Sequence, residues 1–247
     1  PGGSDTHIQF NDSNAFGGSA NATFDKTIGT TYLKSLRTGD VIYASAYGAI
    51  CDGTTDNRTF IQTALDSISA MGGTGPAELV LPAGVCKISG DLSVTKPMII
   101  RGQGKHRTFI RSSSTTAHAF HIESRWGVQI KDMNIDSSVT KVGGAAIYLD
   151  GDGVNDNNNS KFSNLFIDYY DGIYTSHAAQ WDISSGNFIN FYHYGIYVAS
   201  ETDSDSGDSF IGGNIILCVD ATTKAVSTAS GTVGIKQVSS GGLRMIG

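Results

Sequence analysis

Charge is scarce in this sequence. Only 16% of its 247 residues are charged, and the net charge is −6. Nowhere do Lys and Arg gather into a basic stripe, which argues against nucleic acid as a partner, because binding phosphates requires clustered cations that displace counterions. Long hydrophobic runs are missing as well. None approaches the ~18 residues that suggest a membrane span, and the amino terminus lacks the basic-then-apolar layout of a secretion signal, so no membrane insertion is expected. The chain opens on Pro1 in place of Met, so residues before it are expected to be missing. Cysteine is limited to Cys51, Cys86 and Cys218. Their wide separation fits neither a zinc spacing nor a dense disulfide framework, so buried free thiols are the expectation and the redox compartment stays open. No Ser/His/Asp order, phosphate-binding glycine motif or His/Cys cluster stands out.

Glycine, by contrast, is abundant. The 31 glycines are scattered among Ser, Thr, Asn and Asp, a composition that predicts many turns between short strands. With 39% hydrophobic residues, the chain can still bury a large core. An all-β class follows, arranged in three segments. Residues 1–40 are rich in small polar residues, with short apolar alternations such as His7-Ile8-Gln9-Phe10. Such a segment is expected to need neighbouring chains or a longer scaffold. Residues 41–112 read as strand, helix, strand. Asp56 or Thr55 can cap a helix in which Phe60, Ile61, Ala64, Leu65 and Ile68 recur at three-to-four-residue spacing until Gly72-Gly73 stops it. Strands follow on both sides of a Leu-Pro-Ala-Gly turn.

Residues 113–247 contain an internal repeat. The pieces AFHIES, AIYLDG, GIYTSH, GIYVAS and GIKQVS superimpose, with leading apolar residues Phe120, Ile147, Ile173, Ile196 and Ile235 at intervals of 27, 26, 23 and 39. A second set falls between them: IKDMNI, FSNLFI, ISSGNF and FIGGNI, with Asp132, Asn164, Ser185 and Gly212 in the middle, where a sharp bend is expected. Two strands joined by a bend, then a turn, then the first strand type again, make a rung of three short parallel strands. The absence of two-residue hairpin signals counts against an antiparallel sandwich, and the missing leucine consensus and missing helices exclude leucine-rich and helical solenoids. Met245-Ile246-Gly247 align with Phe210-Ile211-Gly212, so the natural polypeptide is expected to continue beyond 247.

Two stretches resemble known families. The run GGSDTHIQFNDSNAFGGSANATFDKTIGT closely resembles a short module repeated in bacteriophage tail-fibre and tail-spike proteins. The run AYGAICDGTTDNRTFIQTALDSI, with the ELVLPAGVCKI and MIIRGQGKHRTFI that follow, is similar to the opening region of pectate-lyase-like β-helices. The resemblance covers the stem and about a quarter of the chain beyond it. It implies a right-handed parallel β-helix, a solenoid with one N-terminal capping α-helix and an N-terminal virion stem or connector. It also implies a homotrimer attached through residues 1–40 to phage tail or baseplate proteins, located in the virion and acting at the bacterial cell surface. Cys51 stands where the family often has Gly or Lys, and Asp52 and Asp56 read as turn and cap residues rather than catalytic acids.

Strand alternation points Phe120 and Ile122 inward and His121 and Glu123 outward, and the same holds for later rungs. One outer ladder is then His121, Tyr148, Tyr174, Tyr197 and Lys236, and the next is Glu123, Asp150, Ser176 and Ala199. Tyr169, Tyr170, Asp171, Tyr192, His193 and Tyr194 lie in the turns before these strands. Aromatic rings in a row offer sugar rings an apolar face with phenol hydroxyls alongside. His121, Tyr148, Tyr174, Tyr197, Tyr170 and His193 are therefore candidate substrate-binding residues for a bacterial surface polysaccharide, with packing against a loop or neighbouring subunit as the alternative. Glu123 and Asp150, one rung apart, are candidate catalytic carboxylates at glycosidase-like spacing, and Asp171 is a third. The function expected is recognition of polysaccharide. The alternatives are a true depolymerase, hydrolase or lyase, whose active site can lie on missing downstream rungs, and a purely structural virion part. No cofactor and no metal are expected. The acidic loops after Asp150 and Glu201 are rich enough in oxygen to suggest Ca²⁺, but the spacing matches no EF-hand.

Overall fold

The computed structural model describes residues 7–12, 15–25, 30–33, 41–70, 77–123, 127–151, 157–176, 178–179, 181–184, 186–200, 209–227, 231–237 and 243–246. The chain divides into two compact units, Pro1–Gly39 and Asp40–Gly247.

In the first unit, strands His7–Asp12, Ala15–Asp25 and Thr30–Leu33 form a three-stranded antiparallel sheet. Asp12 pairs with Ala15 and Asp25 with Thr30, so neighbouring segments satisfy one another's backbone groups locally. In sequence this segment shows only short apolar alternations.

The second unit is mostly parallel β-sheet, curled into a half-barrel with one α-helix among the described residues. Three columns of apolar residues explain the curl. The first runs Ile42, Leu79, Ile100, Ile130 and Phe162, and resumes as Ile183, Ile211 and Met245. The second runs Cys86, Ile110, Ile135, Ile167, Ile189 and Ile216, and the third Leu92, Phe120, Ile147, Ile173, Ile196 and Ile235. Nearly all these side chains are buried in one continuous core. Burying each Leu, Ile or Phe contributes roughly 1.5–3 kcal/mol over leaving it exposed, which makes a one-residue slip of register costly.

The third column has the register that the repeat spacing predicts. The later part of the first column does not, because Ile183 pairs with Ile211 rather than Phe210, and Met245 with Ile211 rather than Phe210. Ile183 and Ile211 are both buried, and keeping them in phase moves the alignment by one residue. The bend residues move with it. Asp132 (φ 60°) and Asn164 (φ 52°) adopt the left-handed region as expected, and Asn164 Nδ2 donates to Asp132 Oδ1 at 2.7 Å, joining the two bends. Further on, Gly213 (φ 63°) makes the turn in place of Gly212, while Ser185 lies outside the described residues.

Helix α1 spans Arg58–Ser69 and buries Ile61, Ala64, Leu65 and Ile68. Phe60, expected on that face, is exposed and lies against Gly48 instead. The cap position belongs to Asn57, not Asp56 or Thr55, although the Asp56 carboxylate accepts the Arg58 N–H at 3.1 Å. Asn57 is fully buried because its Oδ1 accepts the N–H groups of Ile50 and Cys51. Gly72-Gly73 lie outside the described residues. Asp52 is a turn residue, accepting the N–H groups of Thr54 and Thr55.

The expectation of free thiols fails for two of the three cysteines. Cys51 and Cys86 form a disulfide, with Cα atoms 3.9 Å apart and a separation of 35 in sequence. The Val85 N–H donates to the Cys51 carbonyl, so adjacent layers bring the thiols together, which linear spacing does not reveal. Cys218 is the free cysteine among the described residues.

Candidate functional site

The outer face beside the third column carries the site. Because inward and outward residues alternate, each strand from Leu92–Val94 to Phe188–Ser200 places one side chain outward there between two buried ones. Register pairs Ser93 with His121, His121 with Tyr148, Tyr148 with Tyr174, Tyr174 with Tyr197 and Tyr197 with Lys236.

The rings touch in sequence. His121 and Tyr148 stack with centroids 5.1 Å apart, Tyr148 meets Tyr174 edge-on at 5.2 Å, and Tyr174 meets Tyr197 edge-on at 4.7 Å. The series extends further at both ends. At one end His118 stacks on Tyr148 at 4.6 Å. At the other, Tyr197 meets Tyr194 at 4.6 Å, Tyr194 meets His193 at 3.6 Å, and His193 meets Tyr170 at 5.0 Å. The result is a continuous band of eight rings, from His118 to Tyr170. Edge-on and offset contacts of this type add about 0.5–1.5 kcal/mol each beyond burial and hold the rings in place.

Polar groups are fixed along the band. His121 Nε2 lies 3.0 Å from Asp150 Oδ2 and donates to it, and the Tyr148 hydroxyl donates to Asp150 Oδ1 at 3.2 Å. Burial, with the Asp150 charge adding to it, pushes the Tyr148 phenol up to about 12. Burial likewise raises Tyr170 and Tyr174, so these hydroxyls stay protonated donors at neutral pH. His118 Nδ1 accepts the Ala145 N–H at 3.0 Å, and burial holds this imidazole below its ordinary range. Asp171 Oδ1 accepts from His193 Nδ1 and from the Tyr194 N–H, each at 3.0 Å, and burial raises its carboxyl above the usual carboxylate range. Lys236 Nζ sits 4.7 Å from the Tyr194 ring centre and 4.9 Å from that of Tyr197, donating to the Tyr194 hydroxyl at 2.9 Å.

All six candidate binding residues, His121, Tyr148, Tyr174, Tyr197, Tyr170 and His193, fall within this band. Each candidate catalytic carboxylate is hydrogen-bonded to a neighbour. Asp150 is engaged by His121 and Tyr148, whereas Glu123 accepts from Ser93 Oγ at 2.7 Å, one layer away. Asp171 is nearly buried, with a side chain 10% exposed, and belongs with His193 at the other end. In the second ladder, Asp150 pairs with Ser176, but a bulge pairs Ser176 with Ser200 rather than Ala199.

The residues expected in turns lie instead within the long strands Lys161–Ser176 and Phe188–Ser200. Tyr169 points inward, fully buried, and its hydroxyl donates to the Ala117 carbonyl. Tyr192 lies away from the band, joined to Asp168 and Lys224. His118, Tyr194 and Lys236 join the band although the sequence pattern does not mark them as binding residues. A signal for Tyr194 exists: the spacing grows by one residue between the Ile167–Ile189 pair and the Ile173–Ile196 pair. The extra residue is a bulge that sets Tyr192-His193 against Tyr170 and brings Tyr194 opposite Asp171. Among the described residues no three His, Cys, Asp or Glu side chains gather as a metal site, and no helix is long and apolar enough to cross a membrane. The acidic loops after Asp150 and Glu201 fall largely outside the described residues.

No protein-family model matches the sequence, and no curated protein matches it. Solved structures do resemble its fold. ORF18 of Geobacillus virus E2 is 15% identical with a TM-score of 0.50, over 78% of this chain and 43% of that one. The catalytic unit of the thermostable GH87 α-1,3-glucanase of Streptomyces thermodiastaticus is 18% identical with a TM-score of 0.52, over 73% of this chain and 31% of that one. The A-module of the Azotobacter vinelandii mannuronan C-5 epimerase AlgE4 is 15% identical with a TM-score of 0.54, over 79% of this chain and 63% of that one. All three are parallel β-helix proteins, and this chain spans less than two thirds of each. At these identities the likeness is one of fold.

Proposed function

We propose that this chain is part of a bacteriophage tail spike or tail fibre, in which a right-handed parallel β-helix binds bacterial surface polysaccharide along the aromatic band. The observation that carries the reading is the unbroken series of eight rings on one outer face, edged by fixed hydroxyl, imidazole and carboxylate groups. Sugar rings present C–H faces to such surfaces and hydroxyls to their polar margins. The tail-module resemblance of residues 1–40 and a fold shared with a phage protein and two carbohydrate-active enzymes support the setting. In this reading residues 1–40 attach to tail or baseplate proteins, three copies assemble, and the protein works from the virion at the bacterial surface.

The test is binding of the whole chain to a panel of purified bacterial surface polysaccharides by biolayer interferometry. At least one should bind, and Tyr174→Ala, which removes the central ring, should weaken it roughly tenfold, about 1.4 kcal/mol. A panel without a binder, or binding indifferent to Tyr174→Ala in a folded variant, refutes the reading. Cleavage is a second reading, favoured by the Asp171–His193 pair, in which a nearly buried carboxylate orients an imidazole. It predicts new reducing or unsaturated ends that vanish in Asp171→Asn.

A further inference from the structure

The two ends of the band differ in charge. Near His121 lie two carboxylates, Asp150 held by His121 and Tyr148 and Glu123 held by Ser93. At the other end, Lys236 lays its ammonium over Tyr194 and Tyr197, and the Tyr194 hydroxyl takes one of its hydrogens. No carboxylate among the described residues comes within ion-pair distance of it. Four other cations on the outer faces are consumed by neighbours: Arg101 by Glu78, Arg111 by Asp136, Lys161 by Asp182 and Lys224 by Asp168. The nearest acid on the band, Asp171, is turned inward and engaged by His193 and the Tyr194 N–H.

An ammonium has three donors, so Lys236 retains two beyond the one given to Tyr194. Its contact with two ring faces holds it at the edge of the sugar-binding surface and reduces the ordering required when an anion arrives. A sugar lying on Tyr197 would place a substituent of its ring beside Nζ. The substituent this arrangement favours is an anion with paired acceptor oxygens, and the Asp150 and Glu123 end repels the same group. Charge therefore sets the direction in which a chain lies on the band.

We propose that Lys236, Tyr194 and Tyr197 form a subsite for an acidic sugar, with the carboxylate of a uronic acid on Lys236 Nζ. The proposal rests on the band being a polysaccharide-binding face and names the class of polysaccharide it takes.

The experiment uses the whole chain and a set of purified capsular polysaccharides, some neutral and some containing uronic acids. The acidic ones are tested native and after carbodiimide–borohydride reduction, which converts carboxylates to alcohols and leaves phosphates intact. A uronic-acid polymer should bind, and reduction should weaken it tenfold or more. Lys236→Gln should bring the native polymer down to the level of the reduced one and erase the difference between them, while Lys236→Arg should keep most of it. Circular dichroism of each variant confirms folding. Equal binding of native and reduced polymer, or binding confined to neutral polysaccharides, overturns the acidic subsite while Tyr174→Ala still reports on the band. Failure of every polysaccharide to bind overturns both.

Discussion

Gly143 and Gly144 are neighbours, yet alanine should be harmless at one and severe at the other. Gly144 precedes the strand Ala145–Asp150 with φ +81°, in the left-handed region. A Cβ there would lie 2.5 Å from the Ala117 carbonyl oxygen and closer still to that of Thr116. The Ala117 carbonyl is poorly placed to retreat, because it already accepts from Lys141 Nζ and the Tyr169 hydroxyl. Left-handed strain costs about 1–2 kcal/mol and overpacking about 1–3 more, giving roughly 2–5 kcal/mol in total. For a chain of this size that corresponds to a fall in Tm of roughly 4–20 °C. At Gly143 the nearest atoms are Thr116 Cγ2 at 3.8 Å and its Cα and Cβ at 4.0 Å, which is ordinary contact. Gly143→Ala should leave Tm unchanged or raise it slightly, since it restricts the unfolded chain by about 0.4–1 kcal/mol. Scanning calorimetry of both variants beside the parent chain makes the comparison. Equal shifts for the two, or an unchanged Tm for Gly144→Ala, would refute the reasoning. Because Gly144 abuts Ala145, whose N–H bonds His118, the damage should also reach the band.

Two further predictions concern stability. Reducing Cys51–Cys86 should lower Tm, because a loop of this length loses about 3–4 kcal/mol of constraint on the unfolded chain; an unchanged Tm after thiol titration has verified complete reduction would contradict it. Lys141 is buried, its ammonium bonded to the carbonyls of Ser114 and Ala117 and lying over the Tyr169 ring, and burial pushes it down to about 8. Between that value and the ordinary 10.5 the unfolded chain binds more protons than the folded one, so this group's contribution to stability rises with pH across the window. Urea unfolding at pH 7.5, 9 and 10 should show the parent gaining on Lys141→Met as pH rises; a flat or falling difference would show that burial does not depress this lysine.

Alternation and repetition were legible without coordinates. The series Phe120, Ile147, Ile173, Ile196 and Ile235 sits at equivalent places in its repeats, and a period of two puts His121, Tyr148, Tyr174, Tyr197 and Lys236 on the opposite face of the same strands. Those rules act on neighbouring residues, so sequence alone determined the third column and the ladder beside it. It could not determine where a ladder bends or what a side chain chooses to touch. The one-residue correction at Ile211 came from the demand of a shared core, and the bulge at Tyr192-His193 carried the band sideways to Tyr170. Only the tertiary structure gave Asp150 to His121 and Glu123 to Ser93, and brought Cys51 to Cys86. Such partnerships depend on ångström distances between layers more than twenty residues apart in the chain, and those distances exist only once the sheet has curled around its core.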